Sequence, residues 1–149
     1  MLAQSKDVQF LHSVIAHPDV SPWVTLGRGA LDLTEVVGNP ENLFLANEHG
    51  GFLFIRDGDT YEVHTQFLPQ GRGRKAVEAA REAAWHIFTR TPALAIRTYV
   101  PRGNFRAAAL ARRAGFSAWG TVNNDGIEID WYVLTIKEWA KGLKQCQQH

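Results

Sequence analysis

The sequence predicts a mixed α/β domain in which a sheet built largely from hairpins is covered by helices. Three observations predict it. Residues 43–69, LFLANEHGGFLFIRDGDTYEVHTQFLP, read as three strands whose turns fall at EHGG and DGDT, both hairpin signals. A helix from about Lys75 to Thr89 follows, with Val77, Ala80, Ala84 and Ile87 on one face. ALAIRTYVP after it reads as a strand ended by Pro101, so a strand–helix–strand crossover lies inside a meander, which requires a mixed sheet.

The remaining elements follow in order. In residues 6–16, Val8, Leu11, Val14 and Ile15 recur at helical spacing. HPDVSP then breaks that helix at Pro18 and Pro22. Residues 23–42 read ambiguously, as a short strand or helix and a loop. Beyond the crossover, NFRAAALARRAG is a helix with Asn104 suited to the N-cap and Gly115 to the C-terminal stop. FSAWGTV and IEIDWYVLTI are two strands joined at NNDG, and KEWAKGLKQ is a short closing helix.

Composition bounds the function. A chain of 149 residues, 45% hydrophobic and 11% aromatic, is one domain with a packed core. The single cysteine, Cys146, excludes an intramolecular disulfide, sits in a polar tail without a partner base, and is not read as a nucleophile. The N-terminal MLAQSKDVQF lacks a basic region followed by an apolar run, so no signal peptide is expected and a cytoplasmic location is. No membrane span and no internal repeat are visible. The six histidines show no ligand cluster, and no metal site is expected. Trp85, Trp119, Trp131 and Trp139 read as core anchors.

Net charge is +1, but it is unevenly placed. Residues 70–119 hold ten Arg or Lys against two acids, a net of +8, and the rest of the chain carries −7. That asymmetry points to an anionic ligand met by the middle of the chain. It centres on QGRGRKA, residues 70–76, where a strand ends at Pro69 and a helix begins. A helix N-terminus offers unpaired N–H groups and a partial positive charge, glycines allow close approach, and Arg72, Arg74 and Lys75 add charged donors. The turn suits a phosphate or diphosphate. It matches neither the P-loop nor the dinucleotide-binding pattern.

Two motifs together resemble the GNAT acetyltransferase superfamily, in particular the small GNAT-like proteins of bacteriophage genomes. One is QGRGRKA after Pro69, similar to the loop Q/R-x-x-G-x-G/A that holds the acetyl-CoA diphosphate. The other is NFRAAALARRAGF, which matches N-x-x-A-x-x-L-x-x-x-G-F at Asn104, Ala107, Leu110, Gly115 and Phe116. The resemblance covers residues 43–136 and implies a single GNAT-like domain over 1–149. Its sheet would be mixed, mostly antiparallel and twisted, with a V-shaped splay and flanking helices. It implies acetyl-CoA as co-substrate, no metal, and an amine acceptor, small molecule or protein, that the sequence does not name; a homodimer is compatible with it. Gln66, Phe67 and Leu68 would offer strand backbone to the pantetheine arm. Gly71, Arg72, Gly73, Arg74, Lys75 and Ala76 would hold the diphosphate. Asn104 would line the thiol end, and Arg112 or Arg113 would approach the adenosine portion. In either register of the loop Lys75 stands where the family carries a small residue.

Transfer of an acetyl group to an amine needs a base for the ammonium proton and an acid for the thiolate. YEVHTQF puts Glu62, His64 and Gln66 on one polar face and leaves Tyr61, Val63, Thr65 and Phe67 to be buried. The family often places a Glu on this strand, so Glu62 is the first base candidate, and His64 the second because its unperturbed pKa lies near neutrality. The family's usual acid, a Tyr after the motif leucine, is replaced by Ala111. Two other readings stay open. One is a GNAT-fold binding protein that has lost catalysis, which Ala111 and the irregular loop favour. The other is a nucleic-acid-binding module using Arg97, Arg102, Arg106, Arg112 and Arg113; the balanced total charge and the lack of a recognisable motif weigh against it.

Overall fold

The short strand β1 (Ala3–Gln4) leads into α1 (Val8–Ile15), where Asp7 caps the start by accepting from Phe10 N at 3.0 Å. The helical spacing seen in the sequence buries Leu11, Val14 and Ile15. Pro22 does not end a helix. It sits in the first turn of α2 (Ser21–Thr25), where its missing N–H would have had no partner. The ambiguous segment contributes one further turn of helix, α3 (Thr34–Gly38). The structure, a computed structural model, describes residues 1–25 and 31–147.

The remaining elements form the expected sequence: β2 (Leu43–Asn47), β3 (Gly50–Asp57), β4 (Thr60–Phe67), a single 3₁₀ turn (Pro69–Gly71), α4 (Arg74–Arg90), β5 (Ala95–Pro101), α5 (Phe105–Arg113), β6 (Ser117–Asn124), β7 (Ile127–Thr135) and α6 (Ile136–Gln147). Seven strands make one sheet in the order β1-β2-β3-β4-β5-β7-β6. All neighbours are antiparallel except β4 and β5, which α4 connects as a crossover.

Period-two alternation divides the core between the two faces. Phe52, Phe54, Tyr61, Val63, Phe67 and Ile96 turn to one side, where Ala84 and Ile87 of α4 and Trp139 of α6 meet them. Phe44 and Leu53 turn to the other, under Leu11 and Ile15 of α1 and Val37 of α3. A third cluster joins Val100, Tyr132 and Ala111 beneath α5. Among the described residues, no helix is long and apolar enough to cross a membrane.

Two of the expected tryptophan anchors lie on the surface instead. Trp85 is 48% exposed under the guanidinium of Arg90, and Trp119 is 56% exposed. Helix periodicity turns position 85 away from the Ala84–Ile87 stripe, and every residue of β6 is exposed. Trp139 does pack into the core, against Phe88 at 5.2 Å.

Candidate functional site

β4 and β5 pair for three rungs only, Thr60 with Ala95, Tyr61 with Ile96 and Glu62 with Arg97. Beyond them Val63–Phe67 and Thr98–Pro101 have no ladder partner in each other, and the sheet opens into a V. At its vertex the Thr98 hydroxyl donates to the Val63 carbonyl at 3.1 Å, replacing the missing rung. A cleft of about 290 Å³ fills the opening and runs between α4 and α5.

The orientation of the β4 backbone decides what the cleft meets. Gln66 pairs with Gly51, and its carbonyl lies so close to Gly50 that an added Cβ there would come within 2.1 Å of it. Leu68 N donates to His49 O at 2.8 Å. The backbone of Gln66 and Leu68 is thus directed to β3. Alternation leaves Val63, Thr65 and Phe67 facing β5, and the Phe67 carbonyl accepts from Arg72 Nε at 3.1 Å. Thr65, which the sequence reading assigned to the core, is exposed and lines the cleft, because the strand that would have covered it has turned away. Gln66, read as part of a wet face, is only 3% exposed, and its Oε1 accepts no hydrogen bond among the described residues.

The two glycines of the turn do different work. Gly71 is buried, and a Cβ there would lie 2.5 Å from the Cβ of His49, so it is a packing glycine. Gly73 has φ 71° and ψ −135°, a region for glycine, and nothing lies within 4 Å of the Cβ it lacks. It is the N-cap of α4 and provides no side-chain cap, so the N–H groups of Arg74, Lys75 and Ala76 start the helix uncapped beside the cleft. Gly71→Ala is expected to destabilise the fold by about 1–3 kcal/mol through overpacking. Its thermal midpoint should drop by several degrees, which a calorimetric melt would measure.

The cations at the joint divide similarly. Arg72 Nη2 donates to Asp19 O at 2.9 Å, which ties the loop between α1 and α2 to the start of the turn. Burial, and then the like charge of Arg106, push the Arg72 guanidinium below its ordinary value, an arrangement that an anion would relieve. Arg74 is exposed and pairs with Glu78 at 3.2 Å; Lys75 is exposed, so its bulk does not obstruct the helix start. Asn104 caps α5 through Ala107 N at 3.2 Å and also lines the cleft. Arg113 lines the cleft, whereas Arg112 lies 5.8 Å over the Tyr132 ring.

Glu62 Oε2 and His64 Nε2 are 3.0 Å apart. His64 lines the cleft, and Glu62, the less exposed of the two, is not among the lining residues. The hydrogen bond from His64 holds the Glu62 carboxyl below the usual carboxylate range, against the opposing effect of burial, with Arg97 adding to the lowering. A depressed value means that the contact stabilises the fold above the ordinary carboxylate range and is lost as pH falls through the folded value. The difference in thermal midpoint between wild type and Glu62→Gln should therefore be widest near neutrality and close as pH falls below the ordinary carboxylate range. A pH-independent difference in paired melts would show the carboxylate to be uncoupled from His64.

The charge asymmetry of the sequence is offset in part in space. Arg97 pairs with Asp57 at 2.7 Å, and Arg102 binds both Glu128 and Asp130. These acids come from outside the basic segment. Of the basic side chains that remain, Arg72, Arg106 and Arg113 line the cleft with a single acid, Asp19, among the described lining residues. Sequence reasoning missed Thr65 and Thr98 as cleft residues and had Arg106, on α5, only among the cations of the nucleic-acid reading. Strand alternation alone could have signalled the two threonines, and alternation does not reveal where two strands part.

No protein-family profile matches the sequence, and no curated protein does. Solved structures do. An aminoglycoside acetyltransferase, AAC(6')-Ib, in complex with coenzyme A and kanamycin superposes with TM-score 0.76 over 95% of this chain and 97% of its own, at 16% identity. Spermidine N-acetyltransferase from Vibrio cholerae, in complex with CoA and spermine, gives 0.76 over 94% and 97%, at 14% identity. A GNAT-family acetyltransferase from Bacillus anthracis gives 0.70 over 90% and 94%, at 18% identity. The chain has the GNAT fold.

Proposed function

We propose that this protein is an acetyl-CoA-dependent N-acetyltransferase of the cytoplasm that moves an acetyl group to an amine by direct attack. The observation that carries the reading is the split between β4 and β5 after the Glu62–Arg97 rung, with an uncapped helix start at Gly73 at its mouth and His64 on its wall. The residues present fit the co-substrate. The open strand backbone at Thr65 suits the amides of a pantetheine arm. The N–H groups of residues 74–76 and the space before Gly73 suit a diphosphate, with Arg72 and Arg106 beside it. Asn104 and the α5 start line the inner end, and Arg113 the outer. When bound there, acetyl-CoA supplies the thioester acyl group. Structures of similar fold contain CoA together with amines, kanamycin in one and spermine in another, which supports the same reaction class.

The roles of the two candidates on β4 follow from their geometry. Glu62 accepts from His64 Nε2, which places the proton on that nitrogen and leaves Nδ1 as the basic site. His64 then takes a proton from the incoming ammonium, the amine nitrogen bonds to the acyl carbon, and the carbon–sulfur bond breaks. Glu62 is the positioning residue. Ala111 offers no proton to the leaving thiolate, so solvent does. The test pairs calorimetry of CoA binding with thiol release from acetyl-CoA in the presence of amines. Tight duplex-DNA binding at physiological salt without CoA binding would replace this reading by the nucleic-acid one.

A further inference from the structure

We infer that the acceptor is a small primary amine carried on a flat aromatic body, of the arylalkylamine class, held on a wall of aromatic side chains beside His64. This rests on the acyltransferase reading. The register places the wall. Glu62 and Arg97 form the last rung between β4 and β5, so two residues further His64 and Tyr99 stand level on the same face, one on each side of the split. Both line the cleft.

From Tyr99 the wall continues outward over the sheet. Tyr99 stacks on Trp131 with ring centroids 6.3 Å apart at 21°, and Trp119 meets Trp131 edge-on at 5.6 Å. Gly120 makes room for it: a Cβ there would come within 2.8 Å of Trp131 Nε1. Tyr99 is 40% and Trp119 56% exposed, a high figure for such rings in a row. The core under α1 and α3 draws on β2 and β3, and Trp23 of α2 lines the cleft together with Tyr99.

Polar groups at the inner end fit one amine rather than several. Gln66 lies two residues beyond His64 on the same face, and its buried Oε1 has no donor among the described residues. An amine N–H held near His64 supplies one. A polycation would need several free carboxylates. Glu62 is bonded to His64 and Asp57 to Arg97, which leaves Asp19 facing Arg72, Arg106 and Arg113. The cleft is therefore set against amines of the spermine or kanamycin kind and toward a monoamine whose rings stack.

The experiment compares tryptamine with spermidine as acceptors, by thiol release from acetyl-CoA, in wild type and in Trp119→Ala and Tyr99→Leu, with CoA affinity followed by calorimetry. Tryptamine should exceed spermidine in kcat/KM by at least about tenfold, and loss of one ring should raise the tryptamine KM by about 3- to 10-fold while CoA affinity stays as in wild type. A preference for spermidine, turnover of neither amine despite CoA binding, or an unchanged tryptamine KM in both variants would overturn the inference and leave the acyltransferase reading standing. If Trp119→Ala instead splits a dimer in light scattering with no change in KM, the wall covers a second copy of the chain and the inference fails. Absence of CoA binding in wild type would overturn the acyltransferase reading itself, and this inference with it.

Discussion

His64→Gln should lower acetyl transfer by about 100- to 10,000-fold, the usual contribution of a general base, with CoA affinity retained. His64 lines the cleft, level with the open strand backbone, and has one ring nitrogen committed to Glu62 at 3.0 Å. The other nitrogen is free to take a proton. Glutamine keeps approximate size and polarity but cannot accept a proton near neutrality. Glu62→Gln should lose less rate than His64→Gln, and its pH–rate profile should shift, because an amide no longer fixes the ring's proton on Nε2. The two variants therefore decide the order of roles. If Glu62→Gln is the more damaging and His64→Gln stays within a few-fold of wild type, the carboxylate is the base, acting through water, and His64 is its support. The sequence by itself favoured that order, since both residues share one strand face and family usage points to the acid. The structure favours the reverse, because the hydrogen bond from His64 outweighs burial and holds Glu62 as a depressed, weakly basic carboxylate, while His64 lines the cleft.

Gly73→Val should weaken CoA binding by about two orders of magnitude, the equivalent of losing one or two charge-assisted hydrogen bonds at about 1.5–3 kcal/mol each. Two effects add. A β-branched residue at φ 71° and ψ −135° is strained, so the start of α4 must rearrange. The space before Gly73, free of any atom within 4 Å of the missing Cβ, would be filled where the diphosphate approaches. Gly71→Ala is the matched control, since it strikes packing against His49 and should lower the melting temperature more than CoA affinity. Calorimetry and melts on both variants separate the two outcomes. Unchanged CoA affinity in Gly73→Val would remove the diphosphate from this turn.

Much of the fold is legible in the chain because it rests on local rules. The turns EHGG and DGDT set the β2–β4 hairpins, Asn104 caps the helix it was expected to cap, and the Val77–Ile87 stripe is the buried face of α4. The site is legible in part for the same reason: the uncapped, glycine-bearing start of α4 is a local feature. Pro22 shows the limit even locally, since a proline that ends one helix can equally begin the next.

What the sequence determined by itself is thus the order of elements, the turn chemistry and which residues share a strand face, all of which depend on backbone geometry over a few residues. Only tertiary structure decided where β4 and β5 part, and the cleft follows from that point. The split exposes Thr65 although its strand neighbours Val63 and Phe67 are buried. It brings Tyr99 opposite His64, and it buries Gln66 with no donor to its Oε1 among the described residues. The cancellation of Arg97 by Asp57 and of Arg102 by Glu128 and Asp130 belongs to the same category, because those partners are 26 to 40 residues apart in the chain. Alternation assigns a side chain to a face; whether that face meets a helix, a neighbouring strand or an open cleft depends on elements far away in sequence, and that is set by packing.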